Sequence, residues 1–247
     1  MTKNLLLLCI LSLIIFSCKN KEFGTPLFTY VGGEIVNPKG DYVIFYKGEQ
    51  FLDSVKLDAN NFFIYKAKNI EEGIYSFSHK EYQVFYLRPS DSLMFRVNTL
   101  DFDESLSFTG IGAERNNFLM EMFLYNEEEI ELMPKLYKLA PVNFEQKLDS
   151  LRNIRLLVYK EFALKNNPDD KFKEIAKASI NYDYYSKKEI YINANERKKE
   201  SDSYFEIPDD FYSHRDSIDF GSKSLRSYFP YYRFLFRYFD NLALKPT

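Results

Sequence analysis

Apolar and polar residues alternate in short runs from Leu27 to Thr109, and from Asn116 onward the apolar residues recur every three or four positions. The first pattern predicts strands and the second helices, because side chains repeat every second residue along a strand and about every 3.6 along a helix. Strands are expected over residues 27–36, 41–47, 51–57, 61–67, 73–78, 82–88, 92–98 and 106–109. Turn formers separate them: Asn37-Pro38-Lys39-Gly40, Lys47-Gly48-Glu49, Asp58-Ala59-Asn60, Glu71-Glu72-Gly73 and Pro89-Ser90-Asp91. Short strands at nearly regular spacing favour an antiparallel β-sandwich. Leu93, Phe95 and Val97 alternate with Met94, Arg96 and Asn98, which turns one face inward and the other toward water. Residues 42–46 and 84–87 are apolar on both faces, so those strands are expected to be central or covered on the second face by later elements of the chain.

Gly110-Ile111-Gly112 marks the change of period. Phe118, Leu119, Met122 and Phe123 fall at helical spacing within residues 116–125, and Phe144, Leu148, Leu151, Ile154, Val158 and Phe162 continue the pattern in a longer helix. A third helix is expected to open at Asn167-Pro168-Asp169-Asp170, where proline suits the first turn and the acids suit the positive end of the dipole, and to run to about Lys199. Ile207-Pro208-Asp209-Asp210 breaks the chain, and a last helix takes roughly residues 224–244, with Pro230 near its start or kinking it. There Tyr228, Tyr231, Tyr232, Leu235, Phe239 and Leu242 form one apolar stripe. Phe234, Phe236 and Tyr238 lie off that stripe, so they either dock a partner or further domain or are enclosed within the chain. The expected fold class is α+β: an antiparallel β-sandwich domain over residues 27–109 and an all-helical domain over residues 110–247.

The amino end carries a different signal. Lys3 precedes an apolar run from Leu5 to Phe16, and Ile15-Phe16-Ser17-Cys18 sets an aliphatic residue three before, and a small residue one before, a cysteine. The run is too short to cross a hydrocarbon core about 30 Å thick comfortably and reads as a secretory signal. It resembles the lipobox of bacterial lipoproteins, which implies cleavage between Ser17 and Cys18 and acylation of Cys18, with several acyl chains holding the protein on a bilayer. The alternative is an ordinary cleaved signal with an incidental cysteine. Residues 1–17 are then the signal peptide and residues 18–26 a lipidated tether.

Charge and cysteine content narrow the function classes. The formal net charge is −3, and cleavage would remove Lys3 and no acid, giving −4. Without a basic stripe clear of neighbouring acids, nucleic acid is not an expected partner. Both cysteines, Cys9 and Cys18, precede the folded body, which excludes a thiolate nucleophile, a thiol–disulfide site and a cysteine-rich zinc site there. Twenty tyrosines and twenty-four phenylalanines must supply much of the core, since tryptophan is absent. That absence also weakens a carbohydrate-stacking reading of any exposed rings.

Other chemistry-bearing residues are sparse. Gly110-x-Gly112 follows a strand and opens a helix, as a phosphate loop does, but lacks the third glycine, the lysine and the distal acid, so a strand-to-helix turn supported by Asn116 or Asn117 is expected. His79 is placed in a hairpin turn and His214 in a loop, where Asp210 and Asp216 could complete a metal site or Ser213 and Asp216 a triad; solvated loop residues are the expectation. Glu127, Glu128, Glu129 and Glu131 could gather a cation or act as paired carboxylates, but successive helical residues diverge by about 100°, so a solvated face is expected. No catalytic residue, metal or cofactor is predicted.

Strung together, Gly32-Gly33-Glu34-Ile35-Val36-Asn37, Asp53-Ser54-Val55-Lys56-Leu57-Asp58, Asn61-Phe62-Phe63-Ile64-Tyr65, Glu72-Gly73-Ile74-Tyr75, Tyr86 to Leu93 and Phe108 to Asn116 resemble the amino-terminal region of TlpA/ResA-type thioredoxin-like lipoproteins of Bacteroidota, with Ser90 where that family usually has glycine. The resemblance implies a small β-sandwich and helical spacer ahead of a thioredoxin domain. The family's CxxC is absent, so no catalytic residue carries over. The expected function is a non-enzymatic, lipid-anchored envelope module, on the outer membrane and facing the periplasm, that binds or positions something such as a separately encoded thioredoxin-like protein. The alternatives are the front part of a thiol-disulfide oxidoreductase and a carbohydrate-binding surface lipoprotein.

Overall fold

A computed structural model describes residues 28–243; the expected signal peptide, the cleavage site at Ser17 and Cys18, and the tether lie outside the described residues. Eight strands form: β1 (Phe28–Val36), β2 (Tyr42–Lys47), β3 (Gln50–Lys56), β4 (Phe62–Lys68), β5 (Gly73–His79), β6 (Glu81–Leu87), β7 (Ser92–Asn98) and β8 (Ser107–Ile111). Their ends lie within a residue or two of the expected ones. They make two four-stranded sheets, ordered β4-β1-β7-β8 and β3-β2-β5-β6. All neighbours are antiparallel except β1 and β7, which run parallel with Tyr30 opposite Ser92. A helical turn, α1 (Phe102–Ser105), links β7 to β8. The chain is α+β.

One hydrophobic cluster takes residues from both sheets, among them Val31, Phe45, Phe77, Phe85 and Phe95. Across it Phe77 of β5 stacks on Phe95 of β7 with ring centroids 4.3 Å apart, and Phe45 of β2 stacks on Tyr65 of β4 at 4.5 Å. Such offset contacts add to the area these rings remove from water. The two strands apolar on both faces meet different fates. β2 is central, between β3 and β5, whereas β6 is an edge strand whose outer face is covered by helices, with Tyr86 fully buried against Phe172.

The helices are α2 (Ala113–Glu128), α3 (Met133–Leu136), α4 (Pro141–Asn166), α5 (Asp170–Glu196) and α6 (Phe229–Ala243), with a 3-10 segment at Asp209–Ser217. Gly110 and Gly112 turn β8 into α2. At Gly110, with φ of +84°, a Cβ would sit 2.2 Å from the Ser92 carbonyl oxygen, so the tight turn requires glycine. The two asparagines that follow stitch α2 to both sheet edges. Asn116 accepts from the Tyr86 amide at 2.6 Å and donates to the Tyr86 carbonyl at 2.9 Å, while Asn117 makes the same pair with Phe108, both at 2.9 Å. Each edge strand thus finds a side-chain amide where a further strand would otherwise pair.

Helix α4 ends at Asn167 in the left-handed conformation, and Asp169 caps α5 by accepting from the Phe172 amide at 2.9 Å. The stripe expected on α4 needs a correction at its centre: Ile154 is exposed and the neighbouring Arg155 is buried. Pro230 lies in the first turn of α6, which begins later than expected.

Candidate functional site

Charge enters the helical layer along α5. Asp183 and Lys187, one turn apart, face Arg155 of α4 and Glu129 at the end of α2, and all four are almost completely buried. Arg155 holds Asp183 Oδ2 at 2.7 Å through Nη1 and Glu129 Oε1 at 2.6 Å through Nη2. Lys187 Nζ pairs with Asp183 Oδ2 at 2.6 Å and with Glu129 Oε2. Two acids and two bases cancel, so the quartet tolerates the loss of water that any single member would not.

The next residues of α5 form a second centre. Glu189, with no exposed surface, accepts from His214 Nε2 at 2.8 Å, from Arg215 Nε and Nη2 at 2.8 and 2.7 Å, and from Asn241 Nδ2 at 2.6 Å. Burial raises its pKa, but the donors from His214, Arg215 and Asn241 outweigh that and hold the carboxyl at about 2. One carboxylate therefore ties α5 to the 3-10 segment and to α6. Lys188 alongside is buried against Glu145 at 2.5 Å and over the Phe211 ring at 4.3 Å.

Beside the quartet lies a cleft of about 320 Å3 between β6, α2, α5 and the first turn of α6. Val84, Leu119, Met122, Phe123 and Tyr228 make it largely apolar, and the exposed rings of Tyr82 and Phe229 stand at its rim. A second cavity of about 300 Å3 continues toward Tyr137 and Ile190, and Asn126, Glu127, Asp183 and Arg233 line both. Among the described residues, half-buried Arg233 has no ion pair or hydrogen bond, and the Oγ of fully buried Ser186, in the cleft wall, has no partner. Burial pushes the Tyr137 phenol well above its ordinary range, against the opposing charges of Arg233 and Arg237.

Several expected sites resolve differently. His214 is no solvated loop residue: its Nδ1 faces the Phe211 carbonyl at 3.2 Å and its Nε2 faces Glu189, whereas Ser213, Asp210 and Asp216 are exposed and do not converge on it. His79 is buried at the end of β5, its Nδ1 2.9 Å from the Tyr42 carbonyl and its Nε2 accepting from the Lys39 amide at 3.1 Å. Of the glutamate run, Glu127, Glu128 and Glu131 are exposed, but Glu129 belongs to the buried quartet. Phe234 is fully buried among the rings of Tyr182, Tyr185 and Tyr238, so it is not available for docking. Phe236 is 58% exposed, and Tyr238 is half-buried against Phe220 and Arg215.

No known protein-family model and no curated protein matches the chain. Among the described residues no helix is long and apolar enough to cross a membrane, and no group of three His, Cys, Asp or Glu side chains is placed to hold a metal ion. Ser186, Arg233 and three of the quartet, Arg155, Asp183 and Lys187, were not singled out from sequence; Glu129 was, but as a solvated residue. The available signal was a charged triplet, Lys187-Lys188-Glu189, inside an otherwise tyrosine- and isoleucine-rich helix.

Proposed function

We propose that this is a non-catalytic binding protein of the cell envelope, held on the outer membrane by lipid at Cys18 and using the cleft beside β6 as its site. The observation that carries the reading is an apolar chamber ending at an arginine that has no ion pair among the described residues, beside a buried charge cluster that is already neutral. Concave, mostly apolar sites with few polar groups suit ligand capture. In this reading the two sheets are the faces of a β-sandwich, supported by the ring stacking between them, and the helices from residue 110 onward build the chamber against its edge. Two experiments test it. Cys18→Ala should abolish incorporation of a fatty-acid analogue, and equal label in both proteins would remove the anchor. Val84→Trp should fill the chamber; wild type recovered from envelopes should carry a small molecule, detected by mass spectrometry, that this variant lacks. Identical extracts would refute the site.

A second reading, support of a separately encoded thioredoxin-like protein, is favoured by exposed Phe229, Tyr232, Phe236 and Phe239 on the outer face of α6. That row is apolar area left in water at a cost of about 25 cal/mol per Å2.

A further inference from the structure

The polarity of the cleft changes in one direction. Along α2 the wall passes from Leu119, Met122 and Phe123 to Asn126, so the polar end follows the apolar one, while α5 supplies polar residues throughout, Ser179, Asp183 and Ser186. From Leu119 to Asn126 a helix rises about 10 Å, the length of a medium acyl chain. At the polar end three groups can donate. Among the described residues Arg233 has no ion pair or hydrogen bond, Ser186 Oγ has no partner, and the Asn126 amide nitrogen has none while its oxygen faces Lys187 at 3.4 Å. Asp183, the buried acid in the cleft wall, is already held by Arg155 and Lys187, which leaves exposed Glu127 as the opposing charge in the lining.

We propose that the cleft takes a single-chain amphipathic carboxylate, its tail between β6, α2 and the start of α6 and its headgroup on Arg233, Asn126 and Ser186. The proposal rests on the binding reading above and adds the ligand class. A half-buried cation without an ion pair among the described residues favours an anion there over a neutral head, because charge-assisted hydrogen bonds are shorter and stronger than neutral ones. The hydrophobic tail supplies most of the affinity and the arginine the selectivity.

The test is calorimetric titration of decanoate and of decanol into the full chain held in lipid nanodiscs, with empty discs subtracted. Decanoate is expected to bind at least tenfold more tightly than decanol. Arg233→Gln should weaken decanoate tenfold or more and leave decanol unchanged, and raised salt should erode the wild-type preference. Val84→Trp should abolish both; where its melt shows unfolding, Ser186→Ala serves instead and should weaken decanoate alone. Equal affinity for the acid and the alcohol, or Arg233→Gln binding decanoate as wild type does, overturns the assignment. If decanoate fails while envelope extracts still yield a molecule that Val84→Trp loses, the ligand class falls and the binding site stands.

Discussion

Asn116 is a small residue with a large role, because it alone satisfies both main-chain groups of Tyr86 at the edge of a sheet. Asn116→Asp keeps the acceptor and removes the donor, which leaves the Tyr86 carbonyl unpaired beside a buried charge; we expect a loss of about 2–3 kcal/mol in urea unfolding. A loss under a few tenths would show that water or a neighbour replaces the amide. Glu189 makes stability depend on acid. Its folded pKa of about 2 lies below the usual 4.5, so its contribution is complete above about pH 4.5 and is lost as pH falls toward 2. In full it is worth about 3 kcal/mol. Glu189→Gln should be less stable than wild type at neutral pH, and the gap should narrow by about 2 kcal/mol between about pH 7 and about pH 3. A gap that stays constant with pH would mean the carboxylate is not held by its donors. Asn116 was legible as support for the strand-to-helix turn but not as a partner of Tyr86, and the role of Glu189 could not be read from sequence. Glu129 and His214 look like solvated residues until Lys187 and Glu189, far along the chain, are brought beside them.

Among elements, the strands were legible because the two sheets bury one shared layer, which enforces strict alternation in Phe63, Tyr65 and Ala67 and in Leu93, Phe95 and Val97. Where a second layer covers a strand, as over β6, alternation vanished and the double-sided apolar run announced the cover. Helix α6 was legible as a helix but not in its rotation. Tyr231, Phe234 and Tyr238 make one stripe, Phe229, Tyr232, Phe236 and Phe239 another, and rings on both cannot say which is inside. The buried stripe also carries Asn241, whose amide is taken up by Glu189, so polarity pointed the wrong way. Phe234→Ala should therefore cost about 3–5 kcal/mol, while Phe236→Ser should stay within about 0.5 kcal/mol. Comparable losses in thermal melts would place α6 in a different rotation. The cleft itself was not legible, since it is assembled from four elements far apart in sequence, and no one of them carries both its apolar wall and its arginine.

At the scale of the molecule, the sequence change after Gly112 marks a real change of architecture, but the two parts share their packing: Met120 of α2 joins the cluster to which both sheets contribute, and Ile74 and Tyr86 join the helices. The parts are therefore expected to melt as one cooperative unit, and a calorimetric trace with two separated transitions would contradict this. The place of β1 has a mechanical consequence. It is the first described strand, yet it sits inside its sheet, hydrogen-bonded along its length to β4 on one side and β7 on the other. Tension applied from the amino end draws this strand lengthwise between two neighbours, so both ladders resist in shear and their bonds must fail together. Tension on the end of α6 can instead strip the helix turn by turn. In single-molecule pulling with a common handle at exposed Ile111, rupture from the amino end should need the larger force, and equal forces would refute it. A chain hung from a membrane by its first residues would then be loaded through its most resistant seam.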